Sequence, residues 1–394
     1  MTRYVIVGAG EAGTRAAAAL RDAGEGEVLL LSEEPVPPYE RPPLSKPDDE
    51  HGFRKPVAVD LAGIELRLST RVVAVDRAEG RLETEAGERI AYDRLLLATG
   101  ARPRRLAVAG ASRALVLRTL ADAEAIDARV RAGARATIVG AGLIGLELAC
   151  TLRRRGLEVA VVELAPRALG RAVPAELAER LVARHERQGV RFLFGTEIAA
   201  IEPAGVRLAD GNLLAAEIVV AAIGVEPETA LAATAGLPCA NGILVDSTLR
   251  TADPSIWAAG DCAAIDHPRY GRVRFENWRM ACDQGAFAGR VMRGEGGTFA
   301  ALPWFWSDQW DLSLQIVGLC DPARCAVHRS LGADGLVRFE LDGTGRLEAA
   351  AALGPAALIG REIRLAERLI ERAVACPSDL LADPGADLRR LLRG

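Results

Sequence analysis

Tyr4–Val7 is a continuous apolar run, rich in β-branched residues and closed by glycine, and it predicts a buried parallel strand. The stretch over 13–23 predicts a helix, and Val28–Leu31 predicts a second strand ending at Ser32-Glu33-Glu34. The same order recurs further on. Ala136–Val139 reads as a strand, 145–155 as a helix, and Val159–Val162 as a strand ending at Glu163. Between the two copies the apolar strand Leu95–Leu97 ends at Ala98-Thr99-Gly100. After the second copy the pattern predicts a helix over 176–188 and strands near 191–194, 206–208 and 217–223. The stretch 243–261 reads as strands leading into Trp257-Ala258-Ala259-Gly260-Asp261. The last region predicts three strands (313–317, 336–341 and 346–352) and two helices.

What joins strand to helix in each copy is a glycine turn. The first is Gly8-Ala9-Gly10-Glu11-Ala12-Gly13 and the second is Gly140-Ala141-Gly142-Leu143-Ile144-Gly145. The first glycine of such a turn permits the bend and the second lets backbone approach a pyrophosphate. The third lets the helix pack close to the strand. The helix then directs its free N–H groups and positive dipole end at the phosphates. A lone turn of this kind is weak evidence, since glycine-rich bends occur in any α/β protein. Here each lies between a strand and a helix, and an acid follows about 20 residues on, suited to a ribose 2′-hydroxyl. Two turns with the Gly260-Asp261 signal downstream point to two dinucleotides and to electron transfer between them. Glu163 accepts hydrogen bonds from a free 2′-hydroxyl and repels a 2′-phosphate, so NADH is expected over NADPH.

The chain has 394 residues, enough for two or three cores, and its net charge of −4 does not favour nucleic acid or an anionic membrane. No apolar run approaches the ~18 residues needed to span a bilayer. The first strand begins by Tyr4, which leads us to expect no leader segment and cytoplasmic residence. The seven cysteines include no Cys-x-x-Cys pair, which suggests neither a disulfide framework nor a zinc site. The four histidines show no ligand spacing and are expected at the surface. Lys46 and Lys55 are the only lysines in a chain whose other basic residues are arginine, and a lysine retained against that bias suggests a specific need.

Three further stretches carry a resemblance. Tyr39-Glu40-Arg41-Pro42-Pro43-Leu44-Ser45-Lys46, Glu276-Asn277-Trp278 with Gln284-Gly285, and Trp304-Phe305-Trp306-Ser307-Asp308-Gln309 resemble NADH-dependent ferredoxin reductases of bacterial oxygenase systems. These are the reductase components of aromatic-ring dioxygenases and class I haem monooxygenases, a putidaredoxin reductase-like group within the pyridine nucleotide-disulfide oxidoreductases. The likeness covers essentially the whole chain; the main departure is a shortened, altered segment at 47–58. The implied fold is α/β, with two Rossmann-like dinucleotide-binding domains of the glutathione reductase-like, three-layer ββα kind and a C-terminal α+β domain. Residues 1–106 and 228–302 would bind FAD, 107–227 would bind NAD, and 303–394 would form the last domain.

The resemblance also implies roles. Gly8, Gly10, Glu11, Ala12, Gly13, Glu33, Arg41, Lys46, Val72, Ala98, Thr99, Gly100, Arg118, Asp261 and Trp278 would contact FAD. Gly140, Gly142, Leu143, Ile144, Gly145, Glu163 and Gly224 would contact NAD(H). Lys46, paired with Glu147, would lie near flavin N5, with Glu276 and Trp306 bordering the nicotinamide pocket. Disulfide reductases of the same architecture carry a cysteine pair in the first domain, whereas this chain has no cysteine before Cys150. The flavin must therefore pass its electrons to an external acceptor. A [2Fe–2S] ferredoxin feeding an oxygenase is the expected partner, with the protein a monomer or homodimer. Arg153-Arg154-Arg155 and the Arg389, Arg390 and Arg393 group are candidate docking positions, although such runs are usually solvated helix faces. The alternatives are rubredoxin or oxygen as acceptor, or a redox-sensing flavoprotein similar to apoptosis-inducing factor.

Overall fold

The computed structural model describes residues 1–24 and 26–393, and packing divides them into two compact units. The first comprises 1–43, 48–102 and 225–301, apart from residue 25. The second comprises 44–47, 103–224 and 302–393. The first unit is discontinuous in sequence, and its edges lie at 102 and 225, a few residues from the expected domain limits of 106 and 228. The expected second nucleotide region and C-terminal region pack as one unit; position 394 lies outside the described residues.

At the centre of the first unit is a five-stranded parallel sheet in the order Ile256–Ala258, Arg94–Leu97, Arg3–Val7, Glu27–Leu31, Glu65–Arg67. Its middle strands are apolar on both faces, the composition that a sheet covered on both sides requires. Register aligns Val7 with Leu31 and with Leu97, and Leu97 with Ala258. The residues that follow those positions, Gly8, Ser32, Ala98 and Ala259, therefore emerge along one carboxyl edge, where open α/β sheets bind ligands. The helix Glu11–Arg21 begins at that edge and is crossed by the helix Trp278–Met292. Gly285 makes the crossing possible, because a Cβ there would lie 2.2 Å from Ala12 O. Two smaller sheets complete the unit: antiparallel Val72–Asp76, Arg81–Thr84 and Arg89–Ala91, and the four-stranded sheet running from Cys239–Ala240 to Gly271–Arg274.

In the second unit the corresponding parallel sheet has four strands, in the order Arg191–Leu193, Glu158–Val162, Arg135–Val139, Ile218–Ala221. The helix Leu143–Arg154 follows the second glycine turn, and the helix Ala175–Arg187 follows Glu158–Val162. An antiparallel sheet of Ile198–Glu202, Gly205–Leu208 and Leu213–Ala215 packs Ile201, Val206 and Leu208 against Val139 and Val162. The C-terminal part is a five-stranded antiparallel sheet covered by the helix Ala356–Glu371.

Three strands were expected there and five are present, the additions being Trp304–Gln309 and Cys325–Ser330. Cys325–Ser330 escapes the apolar pattern because its inward positions are Val327 and a fully buried arginine, Arg329. The Arg329 guanidinium donates to the carbonyls of Leu380 and Leu381 at 2.8 Å and to Glu362 at 2.9 Å, which satisfies the buried charge. The expectation of surface histidines holds for His51 and His328 and fails for the other two. His185 is 0% exposed and meets Phe192 and Trp310 edge-on, and His267 is 2% exposed and stacks on Tyr270; a polar residue buried among rings has no hydrophobic-pattern signature.

Candidate functional site

The first glycine turn is a cradle closed by backbone on one side and open on the other. Gly8 has φ +106° and a Cβ there would stand 2.2 Å from Ala98 O, while at Gly13 it would stand 1.9 Å from Gly8 O. At Gly10 a Cβ would meet nothing within 4 Å. Only glycine fits the closed side, and the open side exposes the first turn of the helix, where free N–H groups collect. Thr99 Oγ1 donates to Glu228 O at 2.6 Å and fixes the neighbouring strand end. Gln284, fully buried, accepts from Gly260 N–H at 2.7 Å, and its Nε2 has no partner among the described residues. A buried amide donor left over beside Gly260-Asp261 is costly unless a ligand takes it.

Two adjacent acids stand at the end of the second strand and are placed differently. Glu33, the acid singled out by resemblance, has an exposed carboxylate 4.0 Å from Arg71. Glu34 is the acid that lines the small cleft with Ala9, Gly10, Ser32, Tyr39 and Arg41. It accepts from Tyr39 Oη at 2.5 Å and from Arg41 Nη2 at 3.0 Å. Glu11 is buried in the first turn of the helix, accepting from Trp278 Nε1 at 2.9 Å. Ala12 is also buried in that turn, and Val72 opens the strand Val72–Asp76. Glu276 pairs with Arg274 at 2.5 Å, and Arg274 also donates to Asp261 O at 3.1 Å. Arg118 belongs to the second unit, its own N–H bonded to Asp122 at 3.0 Å.

The second turn repeats the backbone closely. Gly140 has φ +108° and a Cβ there would stand 2.4 Å from Ala222 O, at Gly145 it would stand 2.2 Å from Gly140 O, and Gly142 is open. Its acid is arranged differently. Glu163 accepts from Ala141 N–H at 2.7 Å with one oxygen and from Ala165 N–H at 2.8 Å with the other. Ile144 and Leu164 beside it are 43% and 69% exposed, an apolar surface suited to a flat ring. Gly224 has φ +95° and its carbonyl accepts from Arg104 N–H at 3.0 Å.

Lys46 and Glu147 meet within the second unit, which includes the segment Leu44–Pro47. Glu147 points from the helix Leu143–Arg154 and is 7% exposed. One oxygen accepts from Lys46 Nζ at 3.0 Å and Ser307 Oγ at 2.5 Å, and the other from Ser45 Oγ at 2.5 Å. Thr151 Oγ1 donates to Ser45 O at 2.7 Å, fastening the lysine segment one turn further along the helix. Lys46 Nζ also lies 3.6 Å from Asp308 and 5.2 Å from the Trp306 ring centre, and Trp306 stacks on Trp304. The resemblance paired Lys46 with Glu147 and passed over Ser45 and Ser307, although each adjoins a residue singled out. Hydroxyl donors to a buried carboxylate leave no spacing signal.

All seven cysteines are free. Burial pushes the Cys150 and Cys262 thiols up, takes Cys320 up to about 12 and Cys376 up to about 11, so these hold their protons and are poor nucleophiles. The arginine run is not a free basic patch. Arg153 donates to Gln188 O and Leu157 O, Arg154 to Trp310 O, and Arg155 to Asp127. Arg389 is occupied by Asp387.

Comparison with known proteins agrees with this geometry. Residues 2–285 match the pyridine nucleotide-disulphide oxidoreductase family and 304–392 match the reductase C-terminal family. The chain is 39% identical to the ferredoxin–NAD(+) reductase component of an anthranilate 1,2-dioxygenase system from Burkholderia cepacia, with 99% of each covered. It is 33% identical to putidaredoxin reductase from Pseudomonas putida, over 98% of this chain and 96% of that protein. Among solved structures, a ferredoxin reductase from Rhodopseudomonas palustris superposes with TM-score 0.91 at 37% identity, 99% of each chain being covered. Putidaredoxin reductase in covalent complex with putidaredoxin superposes with TM-score 0.92 at 33% identity, over 100% of this chain and 98% of that one. The chain belongs to the pyridine nucleotide-disulphide oxidoreductases, an enzyme family that uses FAD and NAD(H). The two cradles and the spare donor of Gln284 fit two such dinucleotides.

Proposed function

We propose that this protein is an NADH:ferredoxin oxidoreductase that supplies electrons, through a [2Fe–2S] ferredoxin, to an oxygenase. The observation that carries this reading is the Lys46–Glu147–Ser45–Ser307 cluster in a chain of the disulphide oxidoreductase family whose cysteines are all unpaired. With no internal thiol relay, electrons must leave to another molecule.

FAD, when bound, supplies an acceptor for two electrons that can release them one at a time. In this reading the first cradle, from Gly8 to Gly13, takes its pyrophosphate with Ala98, Thr99 and Gly100 beside it. Glu34, Glu33 and Arg41 face the adenosine side with Val72, and Asp261 and Trp278 attend the flavin side. The second cradle, Gly140 to Gly145, takes NADH, with Glu163 on its ribose and Ile144 and Leu164 against its adenine. Lys46 places a positive charge where negative charge develops on reduction, and Glu147 keeps that ammonium paired and aimed. The serine hydroxyls hold the carboxylate still, so the lysine does not reorganise during the reaction. Trp306, stacked on Trp304 beside Lys46, offers the nicotinamide an apolar ring face that keeps water away.

Among the described residues no helix is long and apolar enough to cross a membrane. Cytoplasmic residence belongs to the same reading and is supported by seven free thiols. The testing experiment is NADH-driven reduction of cytochrome c by the FAD-loaded protein, with and without [2Fe–2S] ferredoxins. A large ferredoxin-dependent rate is expected. Fast flavin reduction by NADH with no gain from several ferredoxins would move the acceptor to rubredoxin or oxygen.

A further inference from the structure

A chain of buried polar side chains in the second unit leads away from Glu147. Ser307, Gln309 and His185 are 1%, 1% and 0% exposed. Ser307 and Gln309 share the inner face of the strand Trp304–Gln309, and His185 projects from the helix Ala175–Arg187. Ser307 Oγ is 2.5 Å from Glu147 Oε1, Gln309 Nε2 is 2.9 Å from Ser307 Oγ, and His185 Nε2 is 2.7 Å from Gln309 Oε1.

The direction of every hydrogen in this chain follows from one end. A carboxylate only accepts, so Ser307 directs its single hydrogen to Glu147. Ser307 oxygen then accepts from the Gln309 amide nitrogen, which turns the Gln309 oxygen toward His185. The imidazole must donate there, and so carries its hydrogen on Nε2. Its Nδ1 has no partner among the described residues and is enclosed with the rings of Phe192 and Trp310. Moving the hydrogen to Nδ1 would bury an unpaired N–H and oppose two lone pairs at Nε2. The only relief is a turn of the Gln309 amide, which would present its oxygen to Ser307 and draw that hydroxyl away from Glu147. The imidazole tautomer and the number of donors on Glu147 are therefore one variable. Burial pushes the His185 pKa down, consistent with an imidazole that stays neutral.

We propose that His185 is a positioning residue: through Gln309 and Ser307 it fixes the Glu147 carboxylate that holds Lys46, and so sets the charge environment of the flavin. This rests on the reading of Lys46 given above. His185 touches neither Glu147 nor Lys46, and nothing in the glycine turns or aromatic motifs marks it.

Two variants separate the polar role from packing. His185→Phe keeps the ring volume and removes the donor, whereas His185→Gln places an amide N–H where the imidazole Nε2–H stood. Each is made in the full chain, loaded with FAD, and the midpoint potential of the bound flavin is measured by redox titration. Loss of the Ser307 hydroxyl from Glu147 makes the site more negative. His185→Phe should therefore raise the oxidised-to-reduced FAD ratio at a fixed solution potential by roughly three- to tenfold, a fraction of one hydrogen bond to a charged group. His185→Gln should stay within about twofold of the parent. Equal shifts in both variants, or none in His185→Phe, overturn the proposal. If His185→Phe fails to hold FAD, the 15N spectrum of histidine-labelled parent protein decides. A neutral His185 with its hydrogen on Nε2 is expected, and the Nδ1–H form overturns the proposal. Lys46→Gln is the control. If it leaves the potential unmoved, the reading of Lys46 itself fails; if it shifts the potential while His185→Phe does not, only the role of His185 falls.

Discussion

The two glycine turns are near copies in backbone and unlike in side chains. Both close on a neighbouring strand end, Gly8 on Ala98 and Gly140 on Ala222, and both leave the middle glycine open. At the first, Glu34 is held from outside by Tyr39 and Arg41, the helix of Gly285 lies across the turn's own helix, and Gln284 keeps a spare buried donor. At the second, Glu163 folds back onto the backbone of its own turn beside exposed Ile144 and Leu164. One backbone frame therefore carries two different side-chain settings, and in the proposed reading the frame takes a pyrophosphate at each while the side chains govern how firmly it is held. An enclosed cradle with polar groups that need a ligand suits a resident cofactor, and an open one with its acid already satisfied suits one that comes and goes.

The largest effects should come from breaking each cradle in turn. Gly13→Ala forces a Cβ to 1.9 Å from Gly8 O, and should cost about 3 kcal/mol of stability and empty the protein of flavin. Gly145→Ala, at 2.2 Å from Gly140 O, should leave the protein yellow but unable to bind NADH. Flavin content and NADH titration check the pair, and loss of flavin in both would erase the proposed contrast. Next comes Lys46→Gln, expected to slow flavin reduction by about a hundredfold in stopped flow with NADH affinity little changed.

Smaller effects should follow from the acids. In Glu163→Gln an amide replaces a carboxylate that accepts two backbone N–H bonds, and NADH should bind about tenfold more weakly while FAD is unaffected. Glu34→Gln should do the reverse, loosening FAD and sparing NADH, as equilibrium dialysis and NADH titration would record. The smallest effect concerns pH. Burial lowers the pKa of His185 in one unit and His267 in the other below 6.5. The folded state then binds fewer protons than the unfolded one, so their contribution is complete above about pH 6.5 and is lost as pH falls below it. Stability should decline below that point by no more than about 1.4 kcal/mol per pH unit for each imidazole, read as a falling Tm, and His185→Gln should flatten part of the decline.

Much of the nucleotide architecture was legible in the residues. Both strand–turn–helix copies fall within a residue or two of their expected limits because short apolar runs and glycine bends are local signals. The Lys46–Glu147 pair was reached through resemblance, and its distance of 3.0 Å bears out the pairing, not the role. The strand Cys325–Ser330 was missed because its inward arginine is satisfied by carbonyls more than 50 residues away. The pattern left Glu33 and Glu34 equivalent and the resemblance chose Glu33; what it could not show is that Tyr39 and Arg41 fold back to hold Glu34 beside it.

By itself the sequence determined that two glycine turns each join a strand to a helix, that no cysteine precedes Cys150, and that an acid follows each turn about 20 residues on. Those are properties of a few neighbouring residues, and local backbone chemistry fixes them. The tertiary structure alone decided which hydroxyls serve Glu147, which way their hydrogens run, and that a histidine 38 positions beyond it closes the line. A buried polar group must find its partners wherever the fold brings them, so its hydrogen bonds obey no spacing along the chain.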